Sequence, residues 1–525
     1  MLLFTAVHML QLTLEGLSRP LSTAARRILT PLEISVADRS LWSILPSVSE
    51  HFRDLPPEHH AALDDFVAIL RARNVLAPWT FYARGFGRVR RCVELARDVK
   101  DTMSAHRSPT FSPALLPKPT TPIQLSSSVD GREFAHVAEG AFPTPSLADA
   151  LPPRSHAVRF QLVTPTSWLT PSPTPARRPM VILLPGTGEH GFQRRRHLLA
   201  YPLAQAGIGS VILEGPFYGA RRDPAQFGSK LLALSHLPVL GRATIEEATV
   251  LVTWLRARTP EEVLALPALL PRGRPISSPA PASTAAGAGT GAGGGGGAPS
   301  TLCAPLANPG SLGGGHAATL CTGVSMGGLH AAMTCSMLPS TWGDVSFVSW
   351  LGPPSGVGVF TRGALARACD WGAFAGDTRA DTCEDGRLSS ALEDLGVLLG
   401  GGGGGRGGGP PSRLPTLGDA LALAPHWPGI PPPALHAALV GVAKLLRMTD
   451  VTQFPAPARP DAGSFFLAGH DRYVPLQEGE RELWGWVGET WRGCSISTLA
   501  AGHVSGSLFH TRAYVEALQR AVSRL

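Results

Sequence analysis

The apolar residues of this chain keep two rhythms, and the switches between them mark out its elements. Val158-Arg159-Phe160-Gln161-Leu162-Val163 alternates apolar and polar, as an antiparallel strand with one buried face does. Met180 to Leu184 is an unbroken apolar run instead, suited to a strand buried on both faces. A helical stretch with Leu198, Leu199 and Leu203 follows and stops at Gly207, and Val211-Ile212-Leu213 is the next strand. Arg242 to Arg258 places Ile245, Ala248, Val252 and Leu255 on one helical face. Ala318 to Thr322 predicts a buried strand, Met326 to Leu338 a helix, Val345 to Trp350 a strand, then a helix through Leu365 and Ala368. Further on come a helix from Leu435 to Met448, a strand Ser464 to Ala468, a helix Gln477 to Trp486 and a strand Ser495 to Leu499. A last helix turns Val515, Leu518 and Val522 inward. Strand, Gly-rich loop and helix in alternation specify an α/β fold with a mostly parallel sheet covered on both faces. Far upstream, Leu63, Phe66, Val67 and Leu70 follow helical spacing, so the N-terminal part carries an amphipathic helix.

Composition divides the chain. Residues 1–110 read as a helical extension, 111–156 as a Pro/Ser/Thr-rich connector and 157–525 as the α/β domain. Two tracts interrupt that domain. About 260–315 is Pro, Ala, Ala-Gly and oligo-Gly, and 400–411 is nearly pure glycine; neither can bury enough apolar surface to offset chain entropy, so both are expected to be disordered surface insertions. The second lies within 372–450, where a cap over the sheet belongs. There are no internal repeats.

Charge and cysteine content remove some functions. The net charge of +7 comes from arginine, since Lys100, Lys118, Lys230 and Lys444 are the only lysines. No basic stripe with interleaved aromatics and no zinc-spaced Cys/His set appears, so neither a nucleic-acid partner nor a metal or other cofactor is expected. Seven scattered cysteines without a C-x-x-C pair fit reduced thiols and an intracellular compartment. Residues 1–30 hold Arg19, Arg26 and Arg27 against the single acid Glu15. That pattern fits an organelle presequence as well as an ordinary amphipathic first helix, and its apolar part is too short to span a bilayer.

The chemistry centres on Gly323-Val324-Ser325-Met326-Gly327, a G-x-S-x-G pattern between a strand and a helix. A serine on such a turn projects its hydroxyl, and the glycines remove side chains that would collide. In a chain with 59 glycines the pattern alone specifies little, and the rest of the constellation decides. The nucleophile needs a base and an orienting acid on later loops at the carboxyl ends of strands. Asp471 follows the strand Ser464 to Ala468, and His503 follows Ser495 to Leu499. Asp461 precedes its strand and lies at the wrong end, and His470 and His510 are rivals of His503. The amide of Met326 at the helix start and that of Gly186 or Thr187 in Pro185-Gly186-Thr187-Gly188 are the candidate oxyanion donors. Arg194-Arg195-Arg196 opens the next helix, either as a phosphate-binding cluster or as a solvated charge run. Leu435, Leu439, Val440 and Leu445 of the cap are placed to line the path of an acyl chain.

The segments L-L-P-G-T-G-E-H-G-F-Q-R-R-R, L-E-G-P-F-Y-G-A-R-R, G-V-S-M-G-G-L-H, S-W-L-G-P-P-S-G-V-G-V-F-T-R-G and A-G-H-V-S-G-S-L-F together resemble the alpha/beta-hydrolase domain-containing protein 18 family. The similarity covers 157–525 outside the two insertions and, more weakly, 45–105. It implies an alpha/beta-hydrolase fold with a helical cap, a triad of Ser325, Asp471 and His503, and a mitochondrial lipid-deacylating role with cardiolipin as a suggested substrate. Glu189 stands where the family pattern leads one to expect aspartate. The expected partner is therefore a lipid or a small ester, with contact at a membrane surface and no transmembrane helix. The competing class is a non-catalytic binding or scaffold module that keeps the fold.

Overall fold

The computed structural model describes residues 56–72, 80–106, 123–127, 132–145, 147, 149–169, 178–257, 318–400, 409–476 and 478–525. The presequence reading of 1–30, the tract about 260–315 and most of 400–411 fall outside these residues.

Two helices open the described chain, α1 (Pro57–Ala72) and α2 (Val89–His106). Strands β1 (Gln124–Ser127), β2 (Ala135–Pro143) and β3 (Ala157–Pro165) follow, then β4 (Met180–Leu184) and β5 (Gly209–Leu213). The long helix α3 (His236–Arg256) leads to β6 (Thr319–Val324), α4 (Met326–Met337) and β7 (Val345–Trp350). Then come α5 (Gly356–Thr361), α6 (Trp371–Ala380), α7 (Leu388–Gly400), α8 (Leu417–Leu423) and α9 (Pro432–Leu446). The chain closes with β8 (Ser464–Ala468), α10 (Glu478–Thr490), β9 (Ser495–Leu499), α11 (His503–Leu508) and α12 (Thr511–Arg524).

One sheet of nine strands in the order β1-β2-β3-β5-β4-β6-β7-β8-β9 organises the molecule. From β5 to β9 every pairing is parallel, whereas β1, β2 and β3 pair antiparallel at one edge. This is the alpha/beta-hydrolase fold. The uninterrupted apolar run Met180–Leu184 accounts for β4 at its centre, and every residue of β4 and β7 is buried, as a strand covered on both faces requires. No described helix is long and apolar enough to cross a membrane.

The segment 111–156, read as a connector, contributes β1 and β2 where it is described. The alternation in Ala135–Pro143 is carried by small residues, Ala and Gly, so it gives a weak hydrophobic signal. Gly140 is small because a Cβ there would lie 2.1 Å from the Phe160 ring of β3. The N-terminal helices do not stand apart from the domain. Val67 and Ala68 of α1, and Val89 and Val93 of α2, share one hydrophobic core with the cap and with the face of the sheet that holds Val181 and Leu183. Helix α2 lies against α7 of the cap, and α1 lies against α11.

Candidate active site

Ser325 sits between the end of β6 and the start of α4 at φ 57° and ψ −123°, a backbone conformation that costs a non-glycine residue energy and persists only when its surroundings enforce it. They do. A Cβ on Gly323 would lie 2.5 Å from the Gly327 carbonyl carbon, and one on Gly327 would lie 2.7 Å from the Pro185 carbonyl oxygen. The amide of Ser325 donates to the Trp350 carbonyl at 2.8 Å, tying the turn to the end of β7. Parallel pairing from β6 to β9 then brings the loops that follow these strands to the same edge of the sheet.

On that edge Asp471 and His503 meet. Asp471 Oδ2 is 2.7 Å from His503 Nδ1, and its Oδ1 accepts from the amides of Tyr473 and Val474 at 2.8 Å each. A carboxylate can only accept, so this pairing puts the proton on Nδ1 and makes Nε2 the unprotonated, basic nitrogen of the ring. The Tyr473 ring stacks on the imidazole at 5.1 Å. Helix α11, which His503 begins, is anchored over the end of β7: Trp350 Nε1 donates to the Gly506 carbonyl at 3.0 Å. Ser325 and His503 are thereby fixed to the same tryptophan. Asp461 is exposed and ion-paired with Arg459 ahead of β8, away from this edge. His470 stacks on His60, and His510 precedes α12.

The two candidate amides of the loop after β4 differ in their bonding. The Gly186 amide donates to Glu189 Oε2 at 3.0 Å, so it is already engaged. The amides of Thr187 and Met326 have no hydrogen-bond partner among the described residues, and both residues line the same cavity as Ser325. The glutamate found where an aspartate was expected spans two groups, the Gly186 amide and the Arg195 guanidinium at 3.2 Å.

The arginine trio is neither a phosphate cradle nor a solvated run. Arg195 is buried, and its Nη1 donates to the carbonyls of Leu183 and Leu213, at the ends of β4 and β5, at 2.6 Å each. Burial pulls this guanidinium below its usual pKa, and Glu189 opposes the shift. Arg196 is also buried and donates to Gln161 and Gln193. Arg194 is half-buried and donates to the Ser507 carbonyl at 3.2 Å, which links the oxyanion side to α11. Consecutive residues on a helix point in different directions, so three adjacent guanidinium groups could not converge on one ligand.

Ser325, Met326 and Thr187 line a cavity that continues past Met333 and Met337 of α4. From Met326 to Met337 the helix rises about 16 Å. The far wall of this slot is Leu95, Val99 and Met103 of α2, with Ile245 of α3 and Phe454. The cap leucines expected to line an acyl path are elsewhere: Leu435, Leu439 and Leu445 are fully buried in the core between helices. His330 lines the slot, and burial lowers its pKa to about 4, so it is a neutral group there. Sequence reasoning missed the part α2 plays, because an amphipathic helix declares its apolar face but not what it covers.

It also missed Asp64 of α1. This carboxylate is buried and accepts from the amides of Arg472, His503 and Val504 at 3.1, 2.7 and 2.8 Å. The signal was an acid one helical turn before Val67 and Ala68, on the apolar face itself.

The model of the family described as alpha/beta hydrolase domain containing 18 matches residues 80–266, 309–395 and 434–524. Those segments include Ser325, Asp471 and His503, and leave out α1. Among solved structures the chain is similar to acetyl xylan esterase 1 from Thermoanaerobacterium sp. JW/SL YS485, at 10% identity over 85% of this chain and 96% of that one, with a TM-score of 0.35. It is similar to an esterase of Pyrobaculum calidifontis at 11% identity, covering 82% and 91%, with a TM-score of 0.33. It is also similar to the 2-hydroxy-6-oxo-6-phenylhexa-2,4-dienoate hydrolase of Rhodococcus sp. strain RHA1 at 14% identity, covering 74% and 100%, with a TM-score of 0.32.

Proposed function

The chain belongs to the alpha/beta hydrolase domain containing 18 family, and on that premise we propose that it is a serine hydrolase that removes an acyl chain from a lipid ester. The observation that carries this reading is the strained Ser325 turn on the sheet edge that also holds the Asp471–His503 pair. A non-catalytic module has no use for a strained turn, and strain of this kind collects where chemistry needs it.

In the proposed reaction Ser325 Oγ attacks the ester carbonyl carbon while its proton passes to His503 Nε2. Asp471 holds Nδ1–H and stabilises the imidazolium that forms. The amides of Met326 and Thr187 donate to the oxyanion of the tetrahedral intermediate. The bond to the alcohol oxygen then breaks, His503 returns the proton to that oxygen, and an acyl-enzyme remains on Ser325. Water attacks the acyl-enzyme carbonyl and gives a proton to His503; the bond from the acyl carbon to Ser325 Oγ then breaks, His503 returns the proton to Oγ, and the carboxylic acid leaves.

The slot supports the substrate class. Its lining is largely apolar and runs beside the Met333 and Met337 side of α4, which suits an acyl chain lying along that helix. Arg195 and Arg196 are committed to internal partners, so the arginine cluster plays no part in holding the proposed substrate. A series of p-nitrophenyl esters from acetyl to palmitoyl tests it. Wild type is expected to favour the longer chains, and Ser325→Ala to hydrolyse none. Met333→Trp, which fills the slot, is expected to cut kcat/KM on long esters by about 10-fold or more and leave acetyl ester hydrolysis nearly unchanged. Equal losses on short and long esters would show that the slot does not hold the acyl chain.

A further inference from the structure

We propose that Asp64 of α1 is a positioning residue of this site, whose carboxylate holds the acid loop and the base loop in register. The proposal rests on the reading of Ser325, Asp471 and His503 given above.

The geometry is that of a clasp. Oδ2 accepts from the amide of Arg472, next to Asp471, and from the amide of His503 itself. Oδ1 accepts from the amide of Val504. One buried side chain thus joins two loops from different strands to a helix more than 400 residues earlier in the chain. The environment offers three donors and no acceptor, which fits a carboxylate and not a carboxylic acid or an amide. Close approach is built into the sequence, since a Cβ on Gly502 would lie 2.7 Å from the His60 carbonyl oxygen and 3.0 Å from Asp64 Oδ2. His60 Nδ1, one turn earlier on α1, lies 2.8 Å from Ser505 Oγ and makes a second link to α11.

The charges around the clasp separate positioning from mere docking. Facing Asp64 are His60 and Asp65 on α1, His470, Asp471 and Arg472 on the acid loop, and His503 on α11. His510 lies near His60 from the start of α12, and Arg367 pairs with Asp65 from the segment Ala364–Ala368. Burial first and Asp471 second push the Asp64 carboxyl up from 3.8 to about 6, against the opposing pull of His503. The sign follows. A folded pKa above the unfolded one gives a contribution to stability that is present below 3.8 and lost as pH rises through about 6. Above that pH the fold carries the ionised carboxylate, held by its three backbone donors against the cost of burial and of Asp471. A residue kept only to dock a helix would not need that charge.

The test compares full-length wild type with Asp64→Asn, and with Asp65→Asn as a neighbour that loses the same charge from the same helix. Asp64→Asn is expected to lower kcat on a p-nitrophenyl ester by about 10- to 100-fold with KM within about 2-fold, because the reacting groups are displaced and not the substrate. Loss of a negative charge beside His503 moves the acid limb of kcat/KM to lower pH. The difference in melting temperature, variant minus wild type, becomes more positive between pH 4 and pH 7. Asp65→Asn leaves kcat and the acid limb unchanged. Unaltered kcat and acid limb in Asp64→Asn, or the same changes in Asp65→Asn, overturn the proposal. If Asp64→Asn does not fold, Asp64→Glu, which keeps the charge but shifts the carboxylate by one methylene, is expected to lower kcat by about 10-fold with the acid limb unmoved, and an unaltered kcat overturns the proposal. Failure of the triad reading looks different, since Ser325→Ala would then retain turnover whatever Asp64 does.

Discussion

Replacing His503 with alanine is expected to lower kcat/KM by about 10⁴- to 10⁶-fold and to leave the melting temperature within a few degrees of wild type. The imidazole is the group that both removes the Ser325 proton and returns it to the leaving alcohol, and Nδ1 is already committed to Asp471 at 2.7 Å. Its side chain adds little to the core, while Asp64 grips only the His503 amide, which alanine keeps. Asp471→Asn is expected to cost about 10³- to 10⁴-fold, because an amide in that place favours the wrong imidazole tautomer. Asp461→Asn serves as the comparison. Asp461 forms an exposed pair with Arg459, and breaking such a pair changes stability by about 1 kcal/mol or less and should not touch turnover. Steady-state kinetics on one activated ester, with circular dichroism to confirm folding, reads all three. A harmless Asp471→Asn beside a damaging Asp461→Asn would mean that the wrong acid has been assigned.

Arg195→Met is expected to be the most destabilising single change around the site, by about 3–5 kcal/mol, since removing one partner of a buried pair leaves the other charge without compensation. Glu189 is that other charge, 8% exposed. The substitution also removes the donor shared by the Leu183 and Leu213 carbonyls, where β4 and β5 end. The loss reaches catalysis through Gly186. Glu189 holds the Gly186 amide, and that bond fixes the direction in which the Thr187 amide points. Urea denaturation reads the stability and ester hydrolysis below the transition reads the activity. Glu189→Gln, which keeps the length and an acceptor oxygen but loses the charge, is expected to fall between wild type and Arg195→Met in both. A midpoint for Arg195→Met equal to that of wild type would show that the arginine is as free as a surface charge.

What could be read from residues alone were the features imposed by one local rule. The strands β4, β7, β8 and β9 begin and end where the sequence pattern sets them, because a short β-rich segment bounded by turn residues has few alternatives. The turn at Ser325 was legible because only glycine fits at 323 and 327. Asp471 and His503 followed from the topology, since loops after parallel strands share one edge. What stayed hidden depends on partners distant in sequence. Nothing local to R-R-R says that Arg195 points at strand ends while Arg194 reaches Ser507. Nothing local to α2 says that its apolar face completes a slot along α4, and the cap leucines went to the core instead. Asp64 sits on the apolar face of its helix, but nothing local names its partners, because its three donors come from loops beyond residue 470.

The most direct test of the central claim is covalent. A fluorophosphonate reacts with a serine only where a base and an oxyanion hole activate it, so it reports the assembled site without knowledge of the natural substrate. Folded wild type incubated with such a probe, digested and analysed by mass spectrometry, is expected to carry one adduct, on Ser325. Labelling should fade as pH falls through the titration of His503 and vanish in Ser325→Ala. A folded wild-type protein that takes up no probe, or takes it up at a serine other than Ser325, contradicts the account and leaves a hydrolase fold used for binding alone.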